Sequence, residues 1–200
     1  MLPRQLPATF FLRRCAAALA LGLGACGGGS SGDAGSTTGG GVQQPSSAGS
    51  GVQAQAACGL SNMAADMLER INAHRAAGAS CGSAGSFAPT QALVWNTQIE
   101  GAAVAHSSDM ASLDFHDHTG SDGSTVSVRV DATGYAWSRV GENIAAGYSS
   151  VDAVMNAWMG SDGHCANLMS PHLRDVAVAC VRNDAGQFQT YWTMVLATPR

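Results

Sequence analysis

Lysine is absent from this chain of 200 residues, and all of its basic side chains are arginines. Charged residues make up only 12% and aromatic residues 6% of the sequence, and acidic groups outnumber basic ones, giving a formal net charge of −4. Nucleic acids and anionic lipid surfaces are held by clusters of basic side chains. A chain without such a cluster is therefore not expected to bind nucleic acid or to dock on a membrane by charge alone.

Apolar runs long enough to cross a membrane are also missing. The run from Cys15 to Ala25 is too short, because a membrane-spanning helix needs about 20 residues. Three arginines precede this run and small residues end it, a pattern typical of a secretory signal over residues 1–25. The final Leu-Gly-Ala-Cys resembles a bacterial lipobox, in which Cys26 becomes the lipid-bearing N-terminus. The alternative is an ordinary signal peptide with Cys26 near the cleavage point.

Large apolar side chains are nearly absent from residues 26–57, which consist mainly of Gly, Ser, Thr, Gln and Ala. Such a segment cannot bury enough surface to offset its conformational entropy and is expected to be a flexible tether. Gly27, after the lipobox cysteine, resembles the signal for outer-membrane sorting. The sequence thus predicts a lipoprotein of the cell envelope, anchored at Cys26, whose residues 58–200 form one domain that we expect to be monomeric.

Four cysteines fall within the predicted domain: Cys58, Cys81, Cys165 and Cys180. An even number in an exported domain indicates two disulfides. Pairing of Cys58 with Cys81 is disfavoured, because a predicted helix of roughly 25 Å separates two atoms that must approach within about 7 Å. We favour Cys81–Cys165 with Cys58–Cys180. The alternative is Cys58–Cys165 with Cys81–Cys180.

Apolar side chains that recur at helical spacing predict three helices, at residues 60–77, 96–113 and 151–159. Ser61 and Asn96 stand just before the periodic positions of the first two helices and are the expected N-caps. On the second helix, His106 lies on the apolar face and is expected to pack in the core.

The C-terminal third changes from helical to strand periodicity. Segments 176–181 and 188–196 are apolar on both faces, and the turn residues at 183–186 between them predict an antiparallel hairpin covered on both sides. Before them, 126–130 is compatible with a short helix or a strand, and 134–140 is expected to be irregular. Helices followed by a doubly covered hairpin predict an α+β fold with three layers, α-β-α.

Two histidines and a carboxylate in the middle of the domain are the candidate functional groups. His118, Glu142 and His164 lie 24 and 22 positions apart (142−118 and 164−142). Imidazoles and carboxylates are zinc ligands and are also the usual groups of acid–base catalysis. Residues so far apart can act together only if the fold brings three segments into contact.

The motifs around these residues resemble, in order, those of the bacterial branch of the CAP superfamily, which includes cysteine-rich secretory proteins, antigen 5 and plant pathogenesis-related proteins. The resemblance covers residues 64–197 and rests on DFHDHTGSDGS, VRVDATGY, VGENIAAG, VMNAWMGSDGHCANLMSP and YWTMVLA. It implies a CAP domain over 58–200 with an α-β-α sandwich around a central antiparallel sheet.

The resemblance also implies a shared cavity lined by His118, Glu142 and His164, with Ser161 where many relatives carry a second glutamate. Family members are associated with divalent metal, with sterol or lipid, and with disputed protease activity. We therefore expect a binding module for a lipid, sterol-like or cell-envelope ligand, with His118 and His164 as ligands to a divalent cation, zinc first. The alternative is a metal-assisted, peptidase-like hydrolase in which Glu142 is the catalytic base. The sequence does not decide between binding and catalysis.

Three residues depart from the branch pattern or stand near it without an assigned role. Asp162 replaces a usual proline and is expected either to add negative charge near the site or to face solvent. His116 replaces a usual aromatic residue and is expected either to join the site or to pack. Arg129 is expected to pair with an acidic residue for structural reasons.

Overall fold

The computed structural model describes residues 56–200. The predicted signal peptide, Cys26 and the tether up to residue 55 lie outside the described residues. The described part contains five α-helices and six strands, in the order α1 Met63–Ala77, β1 Ala79–Ser80, β2 Ser86–Phe87, β3 Val94–Trp95, α2 Thr97–Leu113, α3 Val126–Ala132, β4 Trp137–Ala146, α4 Val151–Met159, α5 Asp162–Met169, β5 Asp175–Asn183 and β6 Gln189–Pro199. No helix within residues 56–200 combines the length and apolar character needed to cross a membrane.

Four strands form the main sheet, in the order β3-β5-β6-β4. The predicted hairpin is confirmed, since β5 and β6 pair antiparallel from Asp175–Ala197 to Asn183–Gln189. β4 pairs antiparallel with β6 and forms one edge of the sheet. The sheet departs from the antiparallel expectation only at its other edge, where the two-residue β3 runs parallel to β5.

Helices cover both faces of this sheet, which confirms the three-layer α-β-α arrangement. Side chains alternate along a strand, so Val176 and Val178 pack with α1 and α4, whereas Ala177 and Ala179 pack with α2. The strand interiors are therefore apolar on both faces, as the sequence pattern predicted.

The helix boundaries agree with the sequence in one case and differ in another. Asn96 caps α2 as predicted, and its side chain accepts hydrogen bonds from the backbone N–H groups of Gln98 and Ile99. The prediction that Ser61 caps the first helix is wrong, because α1 begins two residues after Ser61, behind Asn62. The preceding residues are held in turns by the pairing of Ala57 with Cys180.

Two elements that position the candidate site were not predicted. β4 begins at Trp137, inside the segment expected to be irregular, and α5 follows almost directly after α4. β4 carries glycine, glutamate and asparagine in place of a clean alternation of apolar and polar residues. α5 has only eight residues and contains Gly163, so its helical periodicity is too short to recognise. The ambiguous segment 126–130 is helical, within α3.

Both favoured disulfides are confirmed and the alternative pairing is wrong. Cys58 and Cys180 have a Cα–Cα distance of 5.1 Å, and Cys81 and Cys165 one of 5.5 Å. The first disulfide joins the start of the domain to β5. There Ala57 bridges to Cys180, so the contacts with the sheet begin slightly before the boundary predicted at Cys58. The second disulfide joins the loop after α1 to α5.

A buried arginine that donates to backbone carbonyl groups fixes the chain after α5. Arg75 is fully buried on α1 and donates to the carbonyl oxygens of Gln91, Leu168 and Ser170 at 2.8, 2.6 and 2.9 Å. Burial, with a smaller repulsion from Arg174, lowers the pKa of Arg75 to about 10. The backbone carbonyls thus solvate its charge, and the C-terminal end of α5 is tied to α1.

Candidate functional site

The candidate site is built around β4, whose successive side chains point to opposite faces of the sheet. Glu142 contacts Arg129 of α3, on one face. The next residue, Asn143, donates to the carbonyl oxygen of His164 in α5, on the other face. Because β4 is an edge strand, groups on these two faces come close to each other around its open edge. The site therefore has two sides.

On the first side, Glu142 lies between His118 and Arg129. Its side chain is only 3% exposed; Oε1 lies 2.8 Å from Nδ1 of His118 and Oε2 lies 2.7 Å from Nη2 of Arg129. A carboxylate only accepts hydrogen bonds, so His118 donates through Nδ1. The structure thus brings together two of the predicted site residues, His118 and Glu142.

Arg129 has a larger part in the site than the sequence indicated. The acidic residue with which it pairs is the site carboxylate, Glu142. Its Nη2 also donates to the carbonyl oxygen of His118 at 3.0 Å, and its Nη1 donates to that of Ser124 at 2.7 Å. One buried guanidinium therefore joins α3, β4 and the loop that carries His118. Only its position in the VRVDATGY motif could have signalled this role.

His106 is buried in the core, as predicted, but it also lies beside the site. Its Nε2 donates to the carbonyl oxygen of Asp117 at 2.9 Å and lies 4.0 Å from Oε1 of Glu142, while its Nδ1 has no hydrogen-bond partner within the described residues. Burial lowers the pKa of His106 and outweighs the opposing effect of Glu142. We call His106, His118, Arg129 and Glu142 the charged network.

On the second side, side-chain donors cover the exposed backbone of β4. The amide of Asn167 donates to Oδ1 of Asn143 at 2.9 Å and to the carbonyl oxygen of Glu142 at 3.2 Å. The indole of Trp158 donates to the carbonyl oxygen of Ile144 at 3.1 Å. These bonds satisfy carbonyl groups that an edge strand would otherwise leave open. They also fix α4 and α5 against the strand.

α5, which carries His164, is clamped at its beginning. Cys165 is bonded to Cys81, and Asp162 accepts from the backbone N–H of Ser83 at 2.8 Å and from its hydroxyl at 2.5 Å. The hydrogen bonds from Ser83 lower the pKa of Asp162. Gly82 is required here, since a Cβ atom on it would lie 2.2 Å from Oδ1 of Asp162. Asp162 therefore stays ionised and holds the start of α5 through Ser83.

A cavity of about 370 Å³ opens on this second side. Its polar groups are the side chains of His116, Ser161 and His164, and its remaining walls are Ile144, Ala145, Ala146, Tyr148, Ala157, Trp158 and Phe188. The rings of His116 and Phe188 lie 6.1 Å apart. Two of the predicted cavity residues, Ser161 and His164, line this space, and His116 joins them. His118 and Glu142 are not among its lining residues.

The imidazoles interact across the two sides. Burial lowers the pKa of His164, and repulsion from His118 and His116 lowers it further. The pKa of His116 is lowered by burial and then by His118. Both shifts favour the neutral rings, which can donate or accept hydrogen bonds without adding charge to the cavity.

The donor set does not fit a zinc site with three protein ligands. Within residues 56–200, no three His, Cys, Asp or Glu side chains are grouped so that they could hold one metal ion. Both oxygens of Glu142 are already bonded, to His118 and Arg129. Catalytic zinc usually has three protein ligands. Coordination of a cation by His118 and His164 stays a prediction.

A larger groove, of about 830 Å³, lies between α2 and α3. Asp109 lines it, and both of its carboxylate oxygens accept from Ser121, at 2.7 Å from the N–H and 2.6 Å from the hydroxyl. Asp122 similarly accepts from the N–H of Ser124 at 2.8 Å. These acidic groups organise the loop that contains His118. We refer to this space as the α2–α3 groove.

Comparison with known proteins places the chain in a family. The model of the cysteine-rich secretory protein family, CAP, matches residues 68–196. The uncharacterized protein YkwD of Bacillus subtilis is 30% identical over 82 residues, which cover 41% of this chain and 32% of that protein. The chain thus spans about a third of the length of this curated relative.

Solved structures show the same fold. An extracellular protein containing an SCP domain from Bacillus anthracis is similar with a TM-score of 0.55 and 22% identity, over 67% of this chain and 39% of that one. An outer surface protein of Borrelia burgdorferi is similar with a TM-score of 0.54 and 14% identity, over 68% of this chain and 89% of that one. With the α-β-α sandwich and the family match over most of the domain, the chain belongs to the cysteine-rich secretory protein (CAP) family.

Proposed function

We propose that this chain is an exported CAP-domain protein that binds a lipid-like, sterol-like or cell-wall ligand in the cavity of His116, Ser161 and His164. The observation that carries the proposal is the composition of this cavity, in which a few neutral polar groups are surrounded by aromatic and aliphatic walls. Small-molecule sites commonly have this composition and volumes from about 300 Å³ upward.

The disulfides and the matched structures support export of the domain. Two disulfides join the domain, and disulfides persist mainly in oxidising compartments outside the cytoplasm. The matched structures from Bacillus anthracis and Borrelia burgdorferi are described as an extracellular and an outer surface protein. We propose that a lipid on Cys26 holds the domain at the cell envelope, where envelope-derived ligands are available.

The chemistry of the cavity indicates the kind of ligand. Tyr148, Trp158 and Phe188 supply apolar surface, and the two imidazoles with the Ser161 hydroxyl supply hydrogen bonds without net charge. A hydroxyl or another uncharged polar group on an apolar body matches this combination better than an ion does. No arginine among residues 56–200 lines the cavity, and an uncharged ligand does not need one.

Catalysis by a metal-assisted hydrolase is the alternative, and the charged network argues against its simplest form. A general base must be free to take a proton from water, whereas Glu142 is bonded through one oxygen to Arg129 and through the other to His118. We therefore assign Glu142 the task of orienting His118. A divalent cation bound weakly by His118 and His164 is compatible with the binding proposal.

The proposal can be tested by fluorescence titration of the full-length chain, with both disulfides formed. The probes are dehydroergosterol, the uncharged methyl ester of cis-parinaric acid, and a labelled muropeptide whose carboxyl groups are amidated, each with and without added Zn²⁺. Ala157→Trp fills the cavity and is expected to weaken binding at least about tenfold. The matched control is Ala185→Trp, which places the same ring on an exposed turn outside the cavity and should leave binding unchanged.

Two results would count against binding at this cavity. Equal affinity in wild type and Ala157→Trp would place the ligand elsewhere, and no saturable binding of any of the probes would remove the support for these ligand classes. Hydrolysis of a peptide substrate that is lost in Glu142→Gln would favour the hydrolase instead.

A further inference from the structure

Arg129 donates hydrogen bonds to Ser124, to His118 and to Glu142. The binding proposal assigns no function to these bonds. We infer that Arg129 is a positioning residue that, through Glu142, determines which ring nitrogen of His118 carries the proton. The inference deepens the proposed function. It rests on that function only for the binding partner of Nε2 of His118, which would be the proposed ligand or cation.

The two terminal nitrogens of Arg129 make all of its hydrogen bonds within the described residues, since its Nε has no partner. Nη1 holds the carbonyl oxygen of Ser124, and Nη2 holds both the carbonyl oxygen of His118 and Oε2 of Glu142. The same nitrogen thus contacts the backbone of His118 and the carboxylate that is bonded to its ring. The side chain of Arg129 is 7% exposed, so water offers little competition for these bonds.

The position of Arg129 restricts what Glu142 can offer to His118. Oε2 faces the guanidinium, which leaves Oε1 for Nδ1 of the imidazole. Because a carboxylate only accepts, the proton of a neutral ring lies on Nδ1 and Nε2 carries the lone pair. The side chain of His118 is 58% exposed. An unprotonated Nε2 on an exposed ring accepts a hydrogen bond from a ligand hydroxyl or donates its lone pair to a divalent cation.

The loop itself is held so that the ring keeps this orientation. Two consecutive carbonyl oxygens, those of Asp117 and His118, are bonded by buried side chains, His106 from α2 and Arg129 from α3. His106 and Arg129 therefore fix the backbone at His118, while Glu142 fixes its ring. A single carboxylate contact would leave the loop free to turn the ring by rotation of the backbone.

The test uses the isosteric variant Glu142→Gln, because an amide has one oxygen and one nitrogen. Because the guanidinium of Arg129 can only donate hydrogen bonds, the amide oxygen of Gln should turn toward Arg129. The NH₂ group then faces His118. Nδ1 then has to accept, and the proton moves to Nε2. The measurement is the ring tautomer of His118 from ¹⁵N chemical shifts in histidine-labelled, full-length, disulfide-bonded protein without ligand. Wild type should show protonated Nδ1 as the major neutral species, and Glu142→Gln should show it as the minor species.

A double variant isolates the contribution of Arg129. In Glu142→Gln/Arg129→Met both charges are gone, so no unpaired buried charge opposes folding, and the amide is free to turn. We expect protonated Nδ1 to regain population relative to Glu142→Gln. The matched control is Arg182→Met combined with Glu142→Gln, which removes an exposed arginine paired with Asp184 and should keep the inverted tautomer.

The inference is overturned if wild type carries its proton on Nε2, if Glu142→Gln keeps it on Nδ1, or if the double variant with Arg129→Met stays fully inverted. None of these outcomes depends on a ligand. Failure of the binding titration with the expected tautomers would therefore reject the proposed function and leave the role of Arg129 intact.

Discussion

The two sides of β4 hold their histidines by different means. On one side His118 stands on a loop and is oriented by charge, through Glu142 and Arg129. On the other side His164 stands on a helix and is held by a disulfide, by Asp162 and by the amides of Asn143 and Asn167. Directional bonds fix the ring of His118, whereas the clamps on α5 fix the backbone that carries His164.

The largest effect is expected on the charged side. Arg129→Met leaves Glu142 buried without its cation and frees two loop carbonyl groups. Removing one partner of a buried ion pair typically costs about 3–5 kcal/mol, and we expect a loss of that order in the free energy of unfolding, measured by urea denaturation. Arg182→Met removes an exposed ion pair and should change it by less than about 1 kcal/mol. Similar values for the two variants would mean that the charged network contributes little to stability.

The second-largest effect is expected on the clamped side. Replacing Cys81 and Cys165 together by alanine removes the covalent link between α5 and the loop after α1. The expected loss in the free energy of unfolding is about 2–4 kcal/mol. The ring tautomer of His118 should not change, because the charged network lies on the other face of β4. A change of tautomer in this variant would show that the two sides are not separately held.

A smaller effect is expected for Asn167→Ala, which removes the bonds to Oδ1 of Asn143 and to the carbonyl oxygen of Glu142. Loss of such bonds at a partly buried edge strand typically costs about 1–2 kcal/mol. Hydrogen exchange should show faster exchange in β4 and α5 and unchanged exchange in α2. Unchanged exchange in β4 would mean that the amides do not protect the edge of the sheet.

The smallest effect is expected from pH. Folding lowers the pKa of His164 and of His116 below 6.5 through burial and mutual repulsion. The unfolded chain therefore binds protons first, so this contribution to stability is complete above pH 6.5 and decreases as pH falls through the folded pKa values. Urea denaturation above and below pH 6.5 measures it. A His116→Gln/His164→Gln variant should lose less stability on acidification than wild type, whereas the exposed His172→Gln should behave as wild type.

Much of the fold could be predicted because it depends on the periodicity of apolar residues and on the distance that a disulfide can span. The apolar spacing of residues 97–113, the two-faced strands after Asp175 and the length of the first helix each restrict the structure strongly. β4 could not be recognised, because Glu142 and Asn143 replace apolar residues with groups whose partners are remote in sequence. The N-cap at Ser61 was wrongly predicted because the turns before α1 follow a pairing of Ala57 with Cys180, which is remote in sequence.

The candidate site was predictable in its members and not in its arrangement. His118, Glu142 and His164 were identified from motifs, but periodicity alone does not show that β4 separates them into two sides. The role of Arg129 was underestimated because a single arginine in a helix usually pairs on the surface. His106 was expected in the core, and its contact with the loop at Asp117 depends on a turn that no local pattern encodes.

The most direct measurement of the central claim is a chemical-shift map of the full-length chain with saturating dehydroergosterol, or with the methyl ester of cis-parinaric acid if that is the probe that binds. The account predicts the largest amide shifts at Ala157, Ser161 and His164, around the cavity on the clamped side. Shifts concentrated at Val128 and Ala132, which line the α2–α3 groove, would contradict it, because they would place the ligand on the opposite face of the sheet.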